Sequence, residues 1–392
     1  MLKGFKIQLK PNKEQEELFN KHVGCCRFVY NHALADEKEN YELFNSFISI
    51  NVLITELPEL KIEFPWLKEV DATALQQILR DQNQAFQNFF KHKSGFPKFK
   101  SKHKDRPSFR LVNNNNCVRI QNQKIKLSKI GFVSITRANK QLKRLPINYK
   151  IKSVTVSKDT DRHWYASVLL ECENQTHLPK CDDMVGIDLG IKNNYKACFT
   201  QEKIYMFETI VNPKAYDAEF KKLKKLQQRL SRKVKGSKNR DKAKINLARQ
   251  HFRIKSIRSN FNHRLSKFLI DNFQTIVIED LDLDEMKKNN LGRQISDLAF
   301  YQFRTFLAYK ALWYGRDLVI ADKWFASTKI CAECGHKNMN LKLSDRQYTC
   351  PNCNQNLDRD ENAAKNLYQL GICYLGSGEV YSSSDYMFQF NN

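Results

Sequence analysis

Two Cys-x-x-Cys pairs, Cys331-Ala-Glu-Cys334 and Cys350-Pro-Asn-Cys353, stand fifteen residues apart in this chain. A segment so short cannot bury enough apolar surface to hold itself together, whereas four thiolates closing on one tetrahedral ion can. The C-x2-C-x15-C-x2-C spacing lies in the range of zinc ribbons and argues against unrelated cysteines or a redox pair. Cys331, Cys334, Cys350 and Cys353 are therefore the expected ligands of a structural Zn2+ with no open coordination position and no catalytic part. His336, beside the first pair, is expected to be a bystander. The other seven of the eleven cysteines read as ordinary thiols, since an odd count with two such pairs fits a reducing compartment better than a disulfide scaffold.

Lysine and arginine number 66 against 42 aspartates and glutamates, a formal net charge of +24. Such an excess implies a polyanionic partner, nucleic acid first of all. With 392 residues, of which 41% are hydrophobic, the chain has core material for two to four domains, which excludes disorder as its main state. The longest apolar runs, such as Tyr165 to Leu170, fall far short of the roughly 20 residues of a membrane-spanning helix. The N-terminus alternates residue types and shows no secretory signal. A cytoplasmic protein is expected.

Alternating Phe5, Ile7 and Leu9 predict an opening strand that ends at Pro11-Asn12. Asn12, with Gln15 three residues on, reads as the cap of a helix reaching about Asn40, and a second helical stretch runs from Ala72 to Lys91. Short β-rich segments follow at the spacing of a small barrel, which the opening strand could join: 117–120, 124–127, 132–136, 152–157 and 163–171. From Met184 the pattern becomes that of an α/β domain, with strands at 184–189, 195–200, 203–207, 275–278 and 317–321 and a helix at about 296–314. Gly376 to Asn392 reads as a loosely held tail.

Two stretches concentrate the positive charge. Lys91 to Arg110 interleaves eight lysines and arginines, Lys98, Lys100 and Arg110 among them, with Phe90, Phe96, Phe99 and Phe109. Lys214 to Arg258 carries seventeen, including Arg229, Arg232 and Lys233, against three acids, and reads as a long basic helical hairpin turning at Gly236-Ser237. These six named residues are the candidate phosphate contacts, which give affinity without sequence specificity. The phenylalanines suit base stacking or packing beneath the basic strip.

The candidate chemistry rests on carboxylates. In Val185-Gly186-Ile187-Asp188-Leu189-Gly190-Ile191 a strand turns Asp188 and its flanking glycines to one face, where small residues leave room for metal ions and a phosphate backbone. A buried aspartate there would be costly without a cation. A second apolar strand, Thr275 to Ile278, ends in Glu279, which faces Asp188 if the strands are neighbours and leaves Asp280 pointing away. A third acid comes from Asp358-Arg359-Asp360-Glu361-Asn362-Ala363-Ala364, where acids open a helix to about Leu370 and also complement its dipole. Taken singly, each acid fits a cap or a surface charge. Three converging carboxylates repel one another and need divalent cations, and hard oxygen ligands select Mg2+ or Mn2+. Two such ions activate a water and stabilise the leaving 3′ oxygen in phosphodiester hydrolysis.

Over residues 1 to 370 or so these pieces resemble the TnpB (OrfB) family of bacterial insertion sequences, relatives of type V CRISPR effector nucleases. The resemblance is carried by Lys10-Pro11-Asn12 with Asn31 and His32, Gly95-Phe96-Pro97-Lys98-Phe99-Lys100 with Ser108-Phe109-Arg110, and Gly186-Ile187-Asp188-Leu189-Gly190. Ile278-Glu279-Asp280-Leu281, Phe303 to Lys310, Cys331 to Gly335 and Asp358 to Asn366 complete it. It implies an α/β fold: an RNase H-like (RuvC) nuclease domain over 181–324 and 355–374 with an inserted zinc ribbon over 325–354. An N-terminal wedge-like β-barrel over 1–11 and 107–180, a helical recognition module over 12–106 and a tail over 375–392 make up the rest.

By motif matching, the family's metal-binding acids fall on Asp188, Glu279 and Asp360, the last because it stands two residues before Asn362-Ala363-Ala364. Asp358 would then face roughly the opposite side of the helix. Asp188 is expected to bridge two Mg2+ (or Mn2+) ions, with Glu279 and Asp360 each holding one side. The resemblance also implies a guide RNA from the transposon end, a double-stranded DNA target, a partner transposase of the same element, and nucleoid association on DNA. One departure is Phe325-Ala326-Ser327-Thr328, where relatives commonly carry a double serine and Thr328 keeps the hydroxyl. Some family members have lost their acids and act as repressors, but all three stand here. The reading is an RNA-guided DNA endonuclease; the alternatives are a transposase acting at element ends, which usually carries two aspartates before a glutamate, and a non-catalytic RNA-guided repressor.

Overall fold

A computed structural model describes residues 1–143, 145–146, 148–173, 177–190, 194–201, 204–211, 215–280, 299–322, 325–342 and 345–377. The chain forms two compact units, Met1–Asn174 and Gln175–Asn392. Among the described residues no helix is long and apolar enough to cross a membrane.

The first unit opens with β1 (Leu2–Lys10). A reciprocal capping box, in which Gln15 N donates to Asn12 Oδ1 (2.8 Å) and Asn12 N to Gln15 Oε1 (3.1 Å), turns the chain into α1 (Lys13–Phe44). After α2 (Ile50–Thr55), α3 (Leu57–Glu63) and a 3-10 turn at Pro65–Glu69 comes α4 (Ala72–Phe90). The remaining elements are β2 (Ser108–Val112), β3 (Arg119–Gln121), β4 (Lys124–Leu127), β5 (Gly131–Ile135), α5 (Ala138–Leu142), β6 (Tyr149–Lys158) and β7 (Trp164–Cys172). Seven strands join in one antiparallel sheet in the order β2-β6-β7-β1-β5-β4-β3. β1 pairs along its length with β7 (Ile7 opposite Ala166) and at its end with β5 (Leu9 opposite Ile135). Its buried face, with Ile7 and Leu9, packs with Phe19, Val29 and Leu34 of α1 and Leu75 and Leu79 of α4 into one core.

The second unit is built on β8 (Met184–Leu189), β9 (Asn194–Gln201), β10 (Ile204–Val211), β11 (Thr275–Glu279) and β12 (Asp317–Ala321) in the order β10-β9-β8-β11-β12. β8, β11 and β12 are parallel, while β9 and β10 run antiparallel. Between β10 and β11 stand α6 (Ala215–Ser231) and α7 (Lys238–Asn272), the latter capped by Ser237, whose Oγ accepts from Arg240 N at 3.2 Å. α7 continues well beyond Arg258, because Leu265, Leu269 and Ile270 extend its apolar stripe into the core. α8 (Phe300–Tyr314) begins later than the expected 296; residues 281–298 lie outside the described residues. β13 (Gln347–Thr349) and β14 (Asn356–Asp358) form a small ribbon, and α9 (Arg359–Ser377) follows.

Period-two alternation separates the two faces of this sheet. Val185, Ile187, Leu189, Ile276 and Ile278 pack with Leu269 of α7 and Phe303 and Leu307 of α8. Met184, Val277 and Val319 pack with Ala364, Leu367 and Tyr368 of α9. α9 runs past Leu370 because Gly371 seats on the sheet: a Cβ there would come within 2.4 Å of Met184 Sδ and 2.7 Å of Val277 Cγ2. Residues 375–377 of the expected tail therefore belong to a helix, and 378–392 lie outside the described residues.

The role expected for Gly186 needs correction. A Cβ at this position would meet Tyr368 N at 2.3 Å and Ala364 O at 2.5 Å, so its space is filled by the backbone of α9 and not left open for ions or a phosphate. Backbone atoms cannot swing aside as a flexible side chain can. Gly186→Ala is expected to lift α9 from the sheet and cost about 1–3 kcal/mol or more by overpacking. A lowered thermal midpoint checks this; an unchanged one would show that α9 is free to shift.

Candidate functional site

Parallel pairing of Ile187 with Ile278 puts Asp188 and Glu279 on the next rung, at the carboxyl ends of adjacent strands and on the α9 face. Asp188 is 5% exposed. Burial, then the charges of Glu279 and Asp360, push its carboxyl well above the ordinary 3.8, against a smaller opposing pull from Arg359. Glu279 is also raised, by burial and by Asp360, with a hydrogen bond from Ser327 acting the other way. Asp280 points to the opposite face and pairs with Arg304 of α8.

The cluster of acids at the start of α9 sorts itself by partner. Asp358 ends β14 and is not on the helix as expected; its Oδ1 caps α9 by accepting from Asp360 N (2.9 Å) and Glu361 N (3.3 Å). Glu361 is held by Lys196 of β9 at 2.9 Å. Asp360, at the first turn of α9, makes only long ion pairs among those resolved, with Arg359 (3.9 Å) and Arg346 (4.0 Å). Asp188, Glu279 and Asp360 thus form an electrostatically coupled group of hard oxygen donors whose mutual repulsion suits divalent cations. Among the described residues only the four cysteines have three or more donor atoms all within 4.8 Å of one another, so these carboxylates are more widely spaced.

The four cysteine sulfurs come together as a closed set. Cys331 Sγ lies 3.6 Å from Cys353 Sγ, and Cys334 Sγ 3.6 Å from Cys350 Sγ. This is far beyond a disulfide bond of about 2.05 Å and near the edge of about 3.8 Å that a tetrahedron with 2.3 Å metal–sulfur bonds requires. Each pair sits in a knuckle: Gly335 (φ +73°) donates to Cys331 O and Asn354 (φ +58°) to Cys350 O, both in the left-handed region. Asn352 instead donates to Cys334 Sγ at 3.5 Å, the main reason that this thiol is pushed down to about 6. The His336 ring is outside the set.

α9 ties this ribbon to the acids. Asn362, Asn366 and Gln369 donate to Ile330 O, to Ser327 O and Ile330 O, and to Ala332 O, each at 2.7 Å. Asn362 Oδ1 accepts from Ala332 N (3.0 Å), and Lys365 pairs with Glu333. Ser327, 4% exposed, donates from Oγ to Glu279 Oε1. The hydroxyl at the acids is therefore that of Ser327 and not Thr328. Asn362 and Asn366 entered the sequence reading only as motif letters, although two asparagines one helical turn apart beside alanines already mark a polar stripe aimed at backbone.

The six basic candidates divide between the two units. In the first, Lys98 is exposed, while Lys100 is half-buried over the Tyr30 ring (4.2 Å), its backbone clamped by Asn31 at 2.7 and 3.0 Å. Burial lowers its pKa, and packing accounts for it better than phosphate contact. Arg110 is exposed and lies 3.6 Å from Asp81. Phe109 is buried against Phe19 and His22, whereas Phe96 and Phe99 are 40% and 51% exposed beside Lys38. In the second unit, Arg229, Arg232 and Lys233 are exposed at the tip of the α6–α7 hairpin, where Arg229 and Lys233 line a groove with Lys242 and Asn246.

Residues 167–290 match the OrfB_IS605 family, described as "Probable transposase", residues 1–45 a "Helix-turn-helix domain" of the same family, and residues 300–367 the "Cas12f1-like, TNB domain". The chain is 37% identical over 381 residues to the "Putative RNA-guided DNA endonuclease" of Streptomyces pristinaespiralis, spanning 96% of this chain and 91% of that one. The chain belongs to the TnpB (OrfB) family. A second relative, the "Putative RNA-guided DNA endonuclease InsQ" of Escherichia coli (strain K12), is 33% identical over 400 residues, 97% of this chain and 95% of the relative. The fold of this TnpB-family chain is shared with the protein of a "Cas12f1-sgRNA-target DNA complex", with TM-score 0.51 and 13% identity over 94% of this chain and 98% of that one. Within residues 1–45 the structure has one strand and one unbroken 32-residue helix in place of a helix-turn-helix.

Proposed function

We propose that this chain is an insertion-sequence-encoded, RNA-guided DNA endonuclease that cuts DNA by two-metal phosphodiester hydrolysis at Asp188, Glu279 and Asp360. The observation that carries the reading is the placing of Asp188 and Glu279 on one rung of a parallel strand pair, under the helix whose first turn carries Asp360. Relatives aligned over nearly the whole chain and named as RNA-guided DNA endonucleases support it.

In this reading residues 181–324 and 355–374 are a RuvC-like domain interrupted by the zinc ribbon at 325–354. Residues 1–11 and 107–180 are the wedge-like barrel, and 12–106 are the helical recognition module. Mg2+ or Mn2+ bound by the three acids would activate the attacking water and stabilise the leaving 3′ oxygen. Asp188, the buried member of the three, would hold these ions together with Glu279 and Asp360. Arg229, Arg232 and Lys233, with Lys98 and Arg110, neutralise phosphates of guide RNA and target DNA. Cys331, Cys334, Cys350 and Cys353 hold structural Zn2+. A nucleic-acid substrate of this kind assigns the protein to the cytoplasm. The family description "Probable transposase" leaves a second reading, an enzyme acting at element ends with the same acids.

The test is co-expression with the 3′ end of the chain's own element, sequencing of the RNA that co-purifies, and incubation of that complex with matched plasmid in Mg2+. Cleavage that is lost in Asp188→Ala is expected. RNA bound without cleavage would favour a repressor, and strand transfer by the protein alone would favour a transposase.

A further inference from the structure

We propose that Ser327 is a positioning residue for Glu279 and that Asn366 holds it in place, so that the first cysteine knuckle serves as the strut between the second and third acids. The inference rests on the nuclease reading of Glu279 and goes beyond it.

The hydrogen bonds form one continuous path. Ser327 Oγ donates to Glu279 Oε1, and the carbonyl of the same residue accepts from Asn366 Nδ2 at 2.7 Å. Asn366 and Asn362 lie one turn apart on α9 and both reach Ile330 O, while Asn362 also accepts from Ala332 N, next to Cys331. Asp360 stands in the first turn of that helix. Glu279 and Asp360 come from elements separated by eighty residues of chain, yet they are joined through Ser327, Asn366 and one and a half turns of helix. Every polar side chain on the path between them is buried: Ser327 and Asn366 at 4% and Asn362 at 0%.

Burial makes the path stiff. A buried donor or acceptor that loses its partner costs about 1–3 kcal/mol, so Ser327 and the asparagines have few other arrangements. The Ser327 hydroxyl on Oε1 brings no charge of its own and leaves Oε2 of Glu279 for a cation. Hydrogen bonds of this kind to a metal-binding carboxylate typically change metal affinity or activity by about 10–100-fold when removed. Thr328, next in sequence, has no such bond to an acid among the described contacts.

The experiment compares Ser327→Ala, Ser327→Thr and Asn366→Ala with wild type in the full chain carrying its co-purified RNA. Mn2+ binding is measured by the paramagnetic resonance of the free ion, beside zinc content and the Mg2+ dependence of cleavage. For Ser327→Ala the half-saturating Mn2+ is expected to rise about 10–100-fold, with zinc and bound RNA unchanged. Ser327→Thr restores most of the loss, because it returns the hydroxyl. Asn366→Ala raises the same constant by a smaller factor, and that rise disappears in the Ser327→Ala background, as expected for coupled residues. Unchanged Mn2+ binding in Ser327→Ala, loss of zinc in that variant, or an Asn366→Ala effect equal in both backgrounds would overturn the proposal. If Glu279→Ala left both Mn2+ binding and cleavage intact, the nuclease reading itself would fall.

Discussion

Asp188→Asn is expected to reduce cleavage by roughly 10³-fold or more, about 4 kcal/mol of transition-state stabilisation, and at the same time to make the metal-free protein more stable. The second effect follows from the sign of the linkage. Burial and the neighbouring acids raise the Asp188 carboxyl above its ordinary 3.8 in the folded protein. The folded state then keeps a proton that the unfolded state has released, so this residue's contribution is most favourable below the unfolded value and is lost as pH rises through the folded one. Above the unfolded value the carboxyl is a net cost to the metal-free fold, and asparagine removes it with almost no change in shape. Mg2+ or Mn2+ is expected to raise the thermal midpoint of the wild type, since a ligand that binds only the folded state stabilises it, and to leave Asp188→Asn unmoved. Thermal melts from pH 4 to 8, with and without metal, check both arms. A variant less stable than wild type throughout would show that Asp188 serves the fold and not the metal.

Removal of zinc is expected to have the second largest effect. The ribbon's own core consists of Cys331, Tyr348 and Cys350 with partly buried Leu341, too little to stand without a metal whose apparent binding free energy is about 10 kcal/mol or more. Cys350→Ser, or a strong chelator, should release one zinc per chain and unfold residues 327–358. The buried amides of Asn362 and Asn366 then lose the backbone they hold, at about 1–3 kcal/mol each. Cleavage should fall by at least about 100-fold, the upper part of the range for groups that orient metal ligands. Zinc analysis, thermal melts and a cleavage assay on the same preparation check this. Full cleavage by zinc-free protein would mean that the ribbon and the acids are independent.

What could be read beforehand was what depends on local pattern. β4, β8 and β12 begin and end at the residues expected, because short apolar or alternating runs between turn residues leave little choice of register. The capping box at Asn12 and the four-cysteine spacing are likewise properties of a few adjacent residues. Features set by long-range packing were less legible. Gly186 looked like space for a ligand, yet the backbone that fills it lies about 180 residues further on. Asn354 holds the left-handed turn after its Cys-x-x-Cys as Gly335 does after the first, while the bond of Asn352 to the sulfur of Cys334, eighteen residues away, had no local signal. Lys100 belonged to a basic strip by count but is anchored over Tyr30 in the fold. α2 and α3, six and seven residues long, are too short to show a helical period. At the acids, the strand positions of Asp188 and Glu279 followed from alternation, whereas the choice of Asp360 over Asp358 and Glu361 came from a motif. The geometry supplies its physical side: Asp358 is spent on the helix cap and Glu361 on Lys196.

The central claim is that a guide RNA chooses the DNA and Asp188, Glu279 and Asp360 cut it. The most direct measurement exchanges the guide segment of the co-expressed RNA for an unrelated sequence and follows, in Mg2+, two plasmids that match the old and the new guide. Cutting that moves wholly to the newly matched plasmid, and is absent from both with Glu279→Ala, is the predicted result. Cutting that stays with the original plasmid, or that persists on either plasmid without the acid, would contradict it.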